Sequence, residues 1–449
     1  RSESIGDAII KVKKNCTSKF DESIDVSFLL NLKSKKEETN LRTIVNLPNG
    51  NGKKLKIAVL CEESKINEAK DSGAEPCGSD NLINDIDIFL YIGNTGYDMK
   101  NQSSSIPEKL KLAHSQLHKP TSHGALAERG ISIGQVKNSP PMVAFLFPGQ
   151  GSQYTGMLKS LIETFPPAAD TLRQIDEVLA RLKLPSFAEL AWEEDNGLGQ
   201  DIWRTQLSLL IADTIVFAAT RAMGLNADRI TGHSFGELAA LTAAGSWSFE
   251  DAILATSARC RSMDACRGEK GTLLSTSAPA ELLEEFCQTT AGQVSISHYN
   301  TPDQTVVGGE QDAVQRLAKR VEQAGYLSVL LDVPAAFHTP LLTEVKEPFG
   351  DALSRIRMEP PRIPLLSSVT NRYTADPGEI RENLVEQMTR PVNWIGLAQR
   401  LYDDGVTMGI EVGPHTVLTS LTRRVLDGKN ITLIPCDHPR RHGLQQLLT

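Results

Sequence analysis

A serine flanked by two glycines lies near the middle of the chain, in the stretch Gly232-His-Ser-Phe-Gly236. An apolar approach precedes this stretch, and helix-forming residues follow it. The spacing is typical of a nucleophile elbow, in which the serine lies on a strained strand-to-helix turn and only glycine fits beside it. The Ser234 hydroxyl would then project from a helix start, where free backbone N–H groups favour a developing negative charge. Taken alone, the pattern also fits an ordinary turn.

A second glycine-rich loop follows the apolar run Val143–Phe147, which has the composition of a buried parallel strand. This loop, Pro148 to Gln153, lacks the Lys-Ser/Thr ending of a nucleotide-binding P-loop. Glycines flank Gln150 and let its backbone N–H approach a reacting carbonyl oxygen closely. The sequence therefore favours an oxyanion-binding loop over a phosphate site.

Two predicted helices around the elbow carry polar side chains. Thr205–Met223 is apolar nearly all round, which predicts a central helix, and Gln206 lies at its predicted start. Phe249–Cys266 predicts a helix with Arg259 and Arg261 on different faces, because the two are two positions apart. A glutamine at a helix start is usually a cap, and helical arginines usually form solvated pairs, so neither pattern alone indicates a site.

Residues 271–333 have the alternating pattern of a β-α-β-β-α-β unit, the ferredoxin-like plan. The predicted elements are strands Leu273–Ser277, Val294–His298, Gln304–Gly308 and Leu327–Val333 and helices Ala280–Thr289 and Glu310–Ala324. We predict an α/β fold in which this small subdomain is inserted into a hydrolase-like large subdomain with a parallel sheet, residues 143–270 and 334–449. His338 follows the insertion directly, which places it at a cleft edge between two domains.

Composition indicates a soluble globular protein of two or three domains, since the chain has 449 residues, of which 40% are hydrophobic and 23% charged. The seven cysteines form no C-x-x-C pair, which argues against a disulfide framework or a metal site and for a reducing cytoplasm. The longest apolar stretch, Leu207–Ala219, is short and contains Asp213. It predicts a buried helix, so we expect neither a membrane span nor a membrane partner.

The choice of basic residue changes along the chain. Residues 1–120 hold 16 lysines and 2 arginines, whereas residues 121–449 hold 7 lysines and 22 arginines. The apolar content becomes alanine-rich at the same point. We interpret the chain as two segments of different origin joined through a linker at 101–142.

Residues 1–100 predict a small separate α/β unit. Its predicted elements are helices 7–19 and 63–72 and strands 24–32, 42–48, 54–61 and 85–92. The segments Lys19–Glu22, Leu41–Lys53 and Ala69–Leu82 resemble the first half of bacterial ribosomal protein L-one. Two interpretations stay open for this unit, an RNA-binding module and a folding appendage. A net charge of +1 over residues 1–120 gives little counterion-release drive, so nucleic acid is not our expected partner.

Five separated motifs resemble, in order and spacing, malonyl-CoA:acyl carrier protein transacylases and the acyltransferase domains of polyketide and polyunsaturated fatty-acid synthases. The motifs are Phe147–Gln153, Gly232–Glu237, Arg259, Phe337-His338 and Glu411–Pro414. The resemblance covers about residues 143–445, and it implies that the chain moves a malonyl group for polyketide or fatty-acid synthesis.

The resemblance implies a ping-pong mechanism with a seryl-ester intermediate. Ser234 is the implied nucleophile and His338 the base that takes its proton. The backbone N–H groups of Gln150 and Phe235 form the implied oxyanion hole, and Arg259 binds the malonyl carboxylate. Malonyl-CoA is then a substrate, an acyl carrier protein is the partner, and no cofactor is bound permanently.

The family orients its histidine through a backbone carbonyl, which here is expected between Gln387 and Asn393. Gln206 matches a family position near the acyl pocket. Phe337 resembles the malonyl-selecting version of the family, because a small residue at this place goes with methylmalonyl. One carbon is worth only about 1–3 kcal/mol, so we expect modest discrimination.

Two other serine enzymes remain as alternatives. An α/β-hydrolase esterase shares the elbow, but it needs an acid between serine and histidine in the chain and leaves Arg259 unexplained. An acyl-carrier-protein editing hydrolase shares the whole site, with water as the acceptor. A pure binding protein accounts for the first hundred residues and for nothing after Val143.

Overall fold

The computed structural model describes residues 140–194 and 197–448, together with four short strands nearer the N-terminus. These strands are β1 (Val59–Leu60), β2 (Cys77–Gly78), β3 (Ile88–Ile92) and β4 (Ile131–Gln135). The predicted helices 7–19 and 63–72 and strands 24–32 and 42–48 lie outside the described residues. All described residues belong to one of two compact units, Lys56–Thr449.

The four N-terminal strands form two pairs. β1 pairs with β2 in parallel, and β3 pairs with β4 antiparallel. β1 and β3 lie inside predicted strands, whereas β4 lies within 101–142, so the linker prediction misses it. The alternation Ile131-Ser-Ile133 is typical of a strand, but the serine, proline and glycine content around it indicated a loop.

The remaining elements carry the candidate site. The strands are β5 (Val143–Phe147), β6 (Arg229–Gly232), β7 (Thr272–Thr276), β8 (Val294–Thr301), β9 (Gln304–Gly309), β10 (Ser328–Leu331), β11 (Leu365–Leu366), β12 (Tyr373–Thr374), β13 (Val392–Asn393), β14 (Met408–Glu411) and β15 (Thr432–Pro435). The helices are α1 (Lys159–Thr164), α2 (Pro166–Arg181), α3 (Phe187–Ala191), α4 (Ile202–Ala222), α5 (Gly236–Ala243), α6 (Phe249–Ala265), α7 (Ala280–Thr289), α8 (Gln311–Gln323), α9 (Lys346–Ser354), α10 (Pro377–Gln387), α11 (Trp394–Asp403), α12 (Val417–Val425) and α13 (Gly443–Leu448), with a 3-10 helix at Pro340–Val345.

The larger sheet has six strands in the order β12-β11-β6-β5-β14-β15, all parallel except the edge strand β12. Successive residues of the fully buried β5 face opposite sides. Phe145 and Phe147 pack into one hydrophobic core, and Ala144 and Leu146 pack into another with Trp394. Both faces of the sheet are therefore covered, and the predicted α/β body with a parallel sheet is confirmed.

The second sheet has five strands in the order β10-β7-β9-β8-β13. Its first four strands are antiparallel neighbours, and together with α7 and α8 they follow the predicted β-α-β-β-α-β order. The fifth strand, β13, pairs with β8 in parallel. The predicted division into domains at residues 100, 142, 270 and 333 stays a prediction.

By length and composition alone, helix α4 is long and apolar enough to cross a membrane. However, 67% of its most apolar 18-residue segment is buried inside the protein. Thirteen of its residues, Asp213 included, are buried, which confirms the predicted core helix. The helix begins at Ile202, where the Asp201 side chain accepts a hydrogen bond from the Arg204 N–H at 2.8 Å. Gln206 therefore lies in the second turn, and the prediction that it opens the helix is wrong.

Several short elements were not predicted, among them α9, β12, β13, β15 and α13. A two-residue strand is too short to show a period. Helix α10 begins at Pro377, behind the capping residue Asp376. An Asp-Pro pair is a recognised start signal, and it was available in the sequence.

Candidate active site

The elbow has the predicted geometry. Strand β6 ends at Gly232 and helix α5 begins at Gly236, and between them Ser234 has a φ of 53°. A Cβ on Gly232 would lie 2.2 Å from the Glu237 backbone nitrogen, and a Cβ on Gly236 would lie 2.2 Å from the Phe147 carbonyl oxygen. Both glycines are therefore required by the close approach of backbones, and the left-handed serine holds its hydroxyl out of the turn.

Ser234 and His338 meet although 104 residues separate them, with the Ser234 Oγ 2.6 Å from the His338 Nε2. On the other side of the ring, the His338 Nδ1 lies 2.6 Å from the Gln387 carbonyl oxygen. A carbonyl can only accept, so Nδ1 carries the proton and Nε2 presents a lone pair to the serine hydroxyl. The orienting carbonyl falls within the predicted segment, Gln387 to Asn393.

The surroundings of His338 favour its neutral form. The ring is buried, and burial together with the charge of Arg259 lowers the pKa of His338 to about 3. An imidazole that is neutral at physiological pH can accept the proton of a serine hydroxyl.

One strand of the five-stranded sheet and the residue after helix α10 hold His338 in position. Its backbone N–H donates to the Met388 carbonyl just after helix α10. The preceding carbonyl, that of Phe337, accepts a hydrogen bond of 2.7 Å from the Ser297 Oγ on strand β8. The loop that carries His338 is thus fixed between strand β8 and the C-terminal end of helix α10.

The loop that carries Gln150 comes close to the backbone of His233 and Phe235, on either side of the serine. A Cβ on Gly149 would lie 2.4 Å from the His233 carbonyl oxygen and 3.4 Å from the Phe235 nitrogen. Among residues 140–194 and 197–448, no backbone carbonyl accepts a hydrogen bond from the N–H of Gln150 or of Phe235. Two unpaired N–H groups beside a nucleophile can bind an anionic oxygen.

Arg259 is a buried cation on helix α6, with 1% of its surface exposed. Its Nε donates to the Met388 Sδ at 3.2 Å, its guanidinium lies 5.9 Å from the Phe235 ring centroid, and its Nη1 has no hydrogen-bond partner in the described part of the chain. Burial lowers the pKa of Arg259 to about 10, so it stays charged at neutral pH. Arg261, on another face, is exposed. The arrangement offers a charged donor to an anionic group near Ser234.

Gln206 is fully buried and joins two parts of the site. Its Nε2 donates to the Gln150 Oε1 at 2.9 Å, and its Oε1 lies 3.4 Å from the Cys260 Sγ. Phe337 is also buried, with its ring centroid 6.5 Å from that of His338. The structure therefore brings together all seven side chains or backbone groups that the sequence indicated.

Two groups of nearby residues were not predicted. His298 lies on strand β8 at a shift in register, with its ring 4.9 Å from that of His338 and stacked 5.5 Å from that of His233. Glu237 and Ser368 are buried beneath the elbow and joined by a hydrogen bond of 2.5 Å. A bulge re-aims a side chain without changing the apolar pattern, so periodicity could not have indicated His298. Glu237 directly follows the elbow, so its position in the sequence was a signal that it lies near the site.

In the described part of the chain, no group of three or more His, Cys, Asp or Glu side chains could hold a metal ion. The cysteines described there, Cys260, Cys266, Cys287 and Cys436, are all free thiols.

Several known proteins are similar to this chain in sequence and in fold. The polyketide biosynthesis protein ThaF of Burkholderia thailandensis is 34% identical over 304 residues, which are 67% of this chain but only 26% of ThaF, so the chain spans about a quarter of that relative. The malonyl CoA-acyl carrier protein transacylase of Bacillus subtilis (strain 168) is 31% identical over 63% of this chain and 90% of its own length. The acyltransferase domain from the second module of the salinomycin polyketide synthase superposes with a TM-score of 0.68 at 27% identity and covers 80% of each chain.

Two family matches divide the sequence. Residues 12–89 match the ribosomal protein L1p/L10e family, as the resemblance to ribosomal protein L-one predicted. Residues 144–449 match the acyl transferase domain family, and since this is more than half of the sequence, the chain belongs to that family.

Proposed function

We propose that this chain transfers a malonyl group from malonyl-CoA to the phosphopantetheine thiol of an acyl carrier protein. One observation carries the substrate choice, namely the buried guanidinium of Arg259 near the Ser234–His338 pair, whose Nη1 has no hydrogen-bond partner among the described residues. A serine hydrolase acting on a neutral acyl group has no use for such a buried cation, because burying a charge without a partner is costly. The name of the Bacillus subtilis relative supports the same substrates.

In the first half-reaction, the Ser234 Oγ attacks the thioester carbonyl carbon while His338 Nε2 takes the hydroxyl proton. The carbonyl oxygen becomes anionic and is held by the N–H groups of Gln150 and Phe235. The carbon–sulfur bond then breaks, and the coenzyme A thiolate receives the proton from His338. A malonyl ester on Ser234 remains.

In the second half-reaction, the carrier-protein thiol gives its proton to His338, and its sulfur attacks the ester carbonyl. The carbon–oxygen bond breaks and Ser234 recovers the proton. Throughout, the Gln387 carbonyl stabilises the imidazolium and keeps the proton on Nδ1, the role that a carboxylate has in a Ser-His-Asp triad. No bound cofactor takes part.

Arg259 would bind the malonyl carboxylate with two parallel hydrogen bonds, which a lysine cannot reproduce. Phe337 would lie against the α-carbon, where its ring leaves little room for the methyl group of methylmalonyl. Gln206 would line the acyl pocket and hold the Gln150 side chain.

Intact-protein mass spectrometry after mixing with malonyl-, methylmalonyl- and acetyl-CoA tests the proposal. We expect a malonyl adduct on the wild-type chain, a weaker methylmalonyl adduct, and no adduct on Ser234→Ala. An adduct on Ser234→Ala would exclude Ser234 as the nucleophile. A malonyl ester that reacts with water faster than with a carrier protein would favour the editing hydrolase.

Two other features of the proposal rest on the fold and composition. We propose that 143–270 and 334–449 form a large subdomain and 271–333 a small one. In support, four of the five strands of the smaller sheet lie within 271–333, all but its edge strand β13, and all six strands of the larger sheet lie outside this range. We also propose that the enzyme works in the cytoplasm, an assignment that the free thiols support.

A further inference from the structure

Gln387, the last residue of helix α10, contacts both members of the serine–histidine pair. Its backbone carbonyl accepts the hydrogen bond from His338 Nδ1, and its side-chain Nε2 lies 3.1 Å from the Ser234 carbonyl oxygen. The same Nε2 lies 2.7 Å from the Glu237 Oε2 and 3.1 Å from the Ser368 Oγ. Gln387 has 1% of its surface exposed.

The chemistry of the neighbours fixes which end of the Gln387 amide faces them. The Ser234 carbonyl and the Glu237 carboxylate can only accept, and the Ser368 hydroxyl already donates to Glu237 Oε2 at 2.5 Å. With the amide turned over, its oxygen would face the oxygens of Ser234 and Glu237, and no hydrogen bond could form between them. The observed orientation leaves the Gln387 Oε1 without a hydrogen-bond partner among the described residues. Within the described part of the chain, the Gln387 Oε1 is therefore unsatisfied in the orientation in which the Gln387 Nε2 donates to Ser234 and Glu237.

The pair needs such support because its members come from different parts of the chain. Ser234 lies on a turn with a positive φ between β6 and α5, and His338 lies in the loop after β10, also with a positive φ, of 61°. Strained backbones persist only where the surroundings hold them. Among the described hydrogen bonds, the Gln387 amide is the one that reaches the Ser234 carbonyl oxygen from a side chain.

The geometry points to the side-chain amide of Gln387 as a group that positions the nucleophile Ser234, with Glu237 and Ser368 as its buried anchor. The backbone carbonyl of Gln387 already positions the base in the proposed function, so the amide would fix the serine relative to the histidine. This inference rests on the proposed function of Ser234 and His338, and it adds a role for three side chains that do not contact the substrate.

The test replaces Gln387 by methionine, which has a similar length, keeps the backbone carbonyl and lacks the amide donors. We expect kcat for malonyl loading to fall about 10- to 100-fold, as for a small misplacement of reacting groups, while KM for malonyl-CoA stays the same. The rate at which diisopropyl fluorophosphate labels Ser234 should fall in parallel. Gln323→Met is the matched control on an exposed helix position and should change neither rate.

A second variant, Ser368→Ala, keeps Gln387 and removes one anchor, and its kcat should fall about 3- to 10-fold, as for the loss of one hydrogen bond. If circular dichroism shows that Gln387→Met does not fold, the Ser368→Ala variant alone tests the positioning role. Wild-type values of kcat and labelling rate in both variants, or a loss confined to KM, would overturn the inference. If the wild-type chain is labelled by the fluorophosphate but never loads malonyl, the proposed function fails instead, and the labelling rates alone test the positioning role.

Discussion

At the scale of single residues, the site is a set of buried polar groups that are held by hydrogen bonds to backbone and to other side chains. His338 is oriented by a carbonyl at a helix end, where carbonyls lack helical partners and carry the negative end of the dipole. No carboxylate is needed to hold the proton on Nδ1. Arg259 is the exception, because its guanidinium has a free donor and no described carboxylate for a partner.

Replacing Arg259 by alanine should lower kcat/KM for malonyl-CoA about 100-fold, since two charge-assisted hydrogen bonds to the carboxylate are lost. Loading from acetyl-CoA should gain relative to malonyl-CoA, because the substitution also removes a buried unpaired charge when no carboxylate is bound. Rapid-quench measurement of adduct formation with each thioester checks both expectations.

Arg261→Ala is the control for this prediction, because Arg261 has the same chemistry two positions along α6 but is exposed. It should leave both rates unchanged. Equal loading of malonyl by Arg259→Ala and by wild type would rule out the carboxylate role.

At the scale of elements, the elbow depends on how closely helix α5 approaches strand β5. Gly236 is the first residue of α5. A Cβ at this position would lie 2.2 Å from the Phe147 carbonyl oxygen and 2.6 Å from the Pro148 carbonyl oxygen. Both neighbours are backbone atoms of the central strand and its loop, which cannot move aside as a side chain can. The small residue is therefore needed for packing as well as for the turn.

Gly236→Ala should destabilise the protein by about 2–3 kcal/mol, the range of an overpacked core position. It should also slow malonyl loading, because the clash lies next to the Gln150 loop. Urea denaturation gives the free energy of unfolding.

Gly350→Ala is the matched substitution, since it lies in helix α9 and its added Cβ would come no closer than 3.5 Å to the Val385 side chain. It should be neutral or stabilising, because alanine is the better helix former. Equal effects of the two substitutions would contradict the close-packing argument.

At the scale of the whole molecule, every group assigned to the site lies between Phe147 and Asn393, and both larger sheets lie within residues 140–448. Both larger sheets carry parts of the site, because Ser234 follows β6 of the six-stranded sheet and Ser297 of β8, in the five-stranded sheet, anchors the loop that carries His338. The ribosomal-protein-like match ends at residue 89, well before the first strand of this body.

A chain that begins at residue 140 should therefore load malonyl at the rate of the full chain. The adduct should again require Ser234, which the truncated Ser234→Ala variant checks. Comparison of initial loading rates at equal concentration is the measurement. A truncated chain that folds but loads slowly would show that residues 1–139 contribute to the acyltransferase.

The sequence by itself determined the turn that carries Ser234, the need for Gly232 and Gly236, and the long helices and strands. These are local properties, because turn geometry and the period of a helix or strand are encoded in neighbouring residues. The ribosomal and acyltransferase segments were likewise separable by their residue choice. The glycines around Gln150 also favoured an oxyanion-binding loop, whereas the predicted roles of Arg259 and His338 came from resemblance, since single residues on separate elements carry no local signal.

Only the tertiary structure decided which groups contact one another. The 2.6 Å approach of Ser234 to His338, the Gln387 carbonyl behind the ring and the amide beneath the serine join segments far apart in the chain. The hydrogen bond between Gln206 and Gln150, 56 positions apart, is a contact of the same kind. Such contacts are fixed when separate elements pack together, and no pattern in a window of neighbouring residues records them.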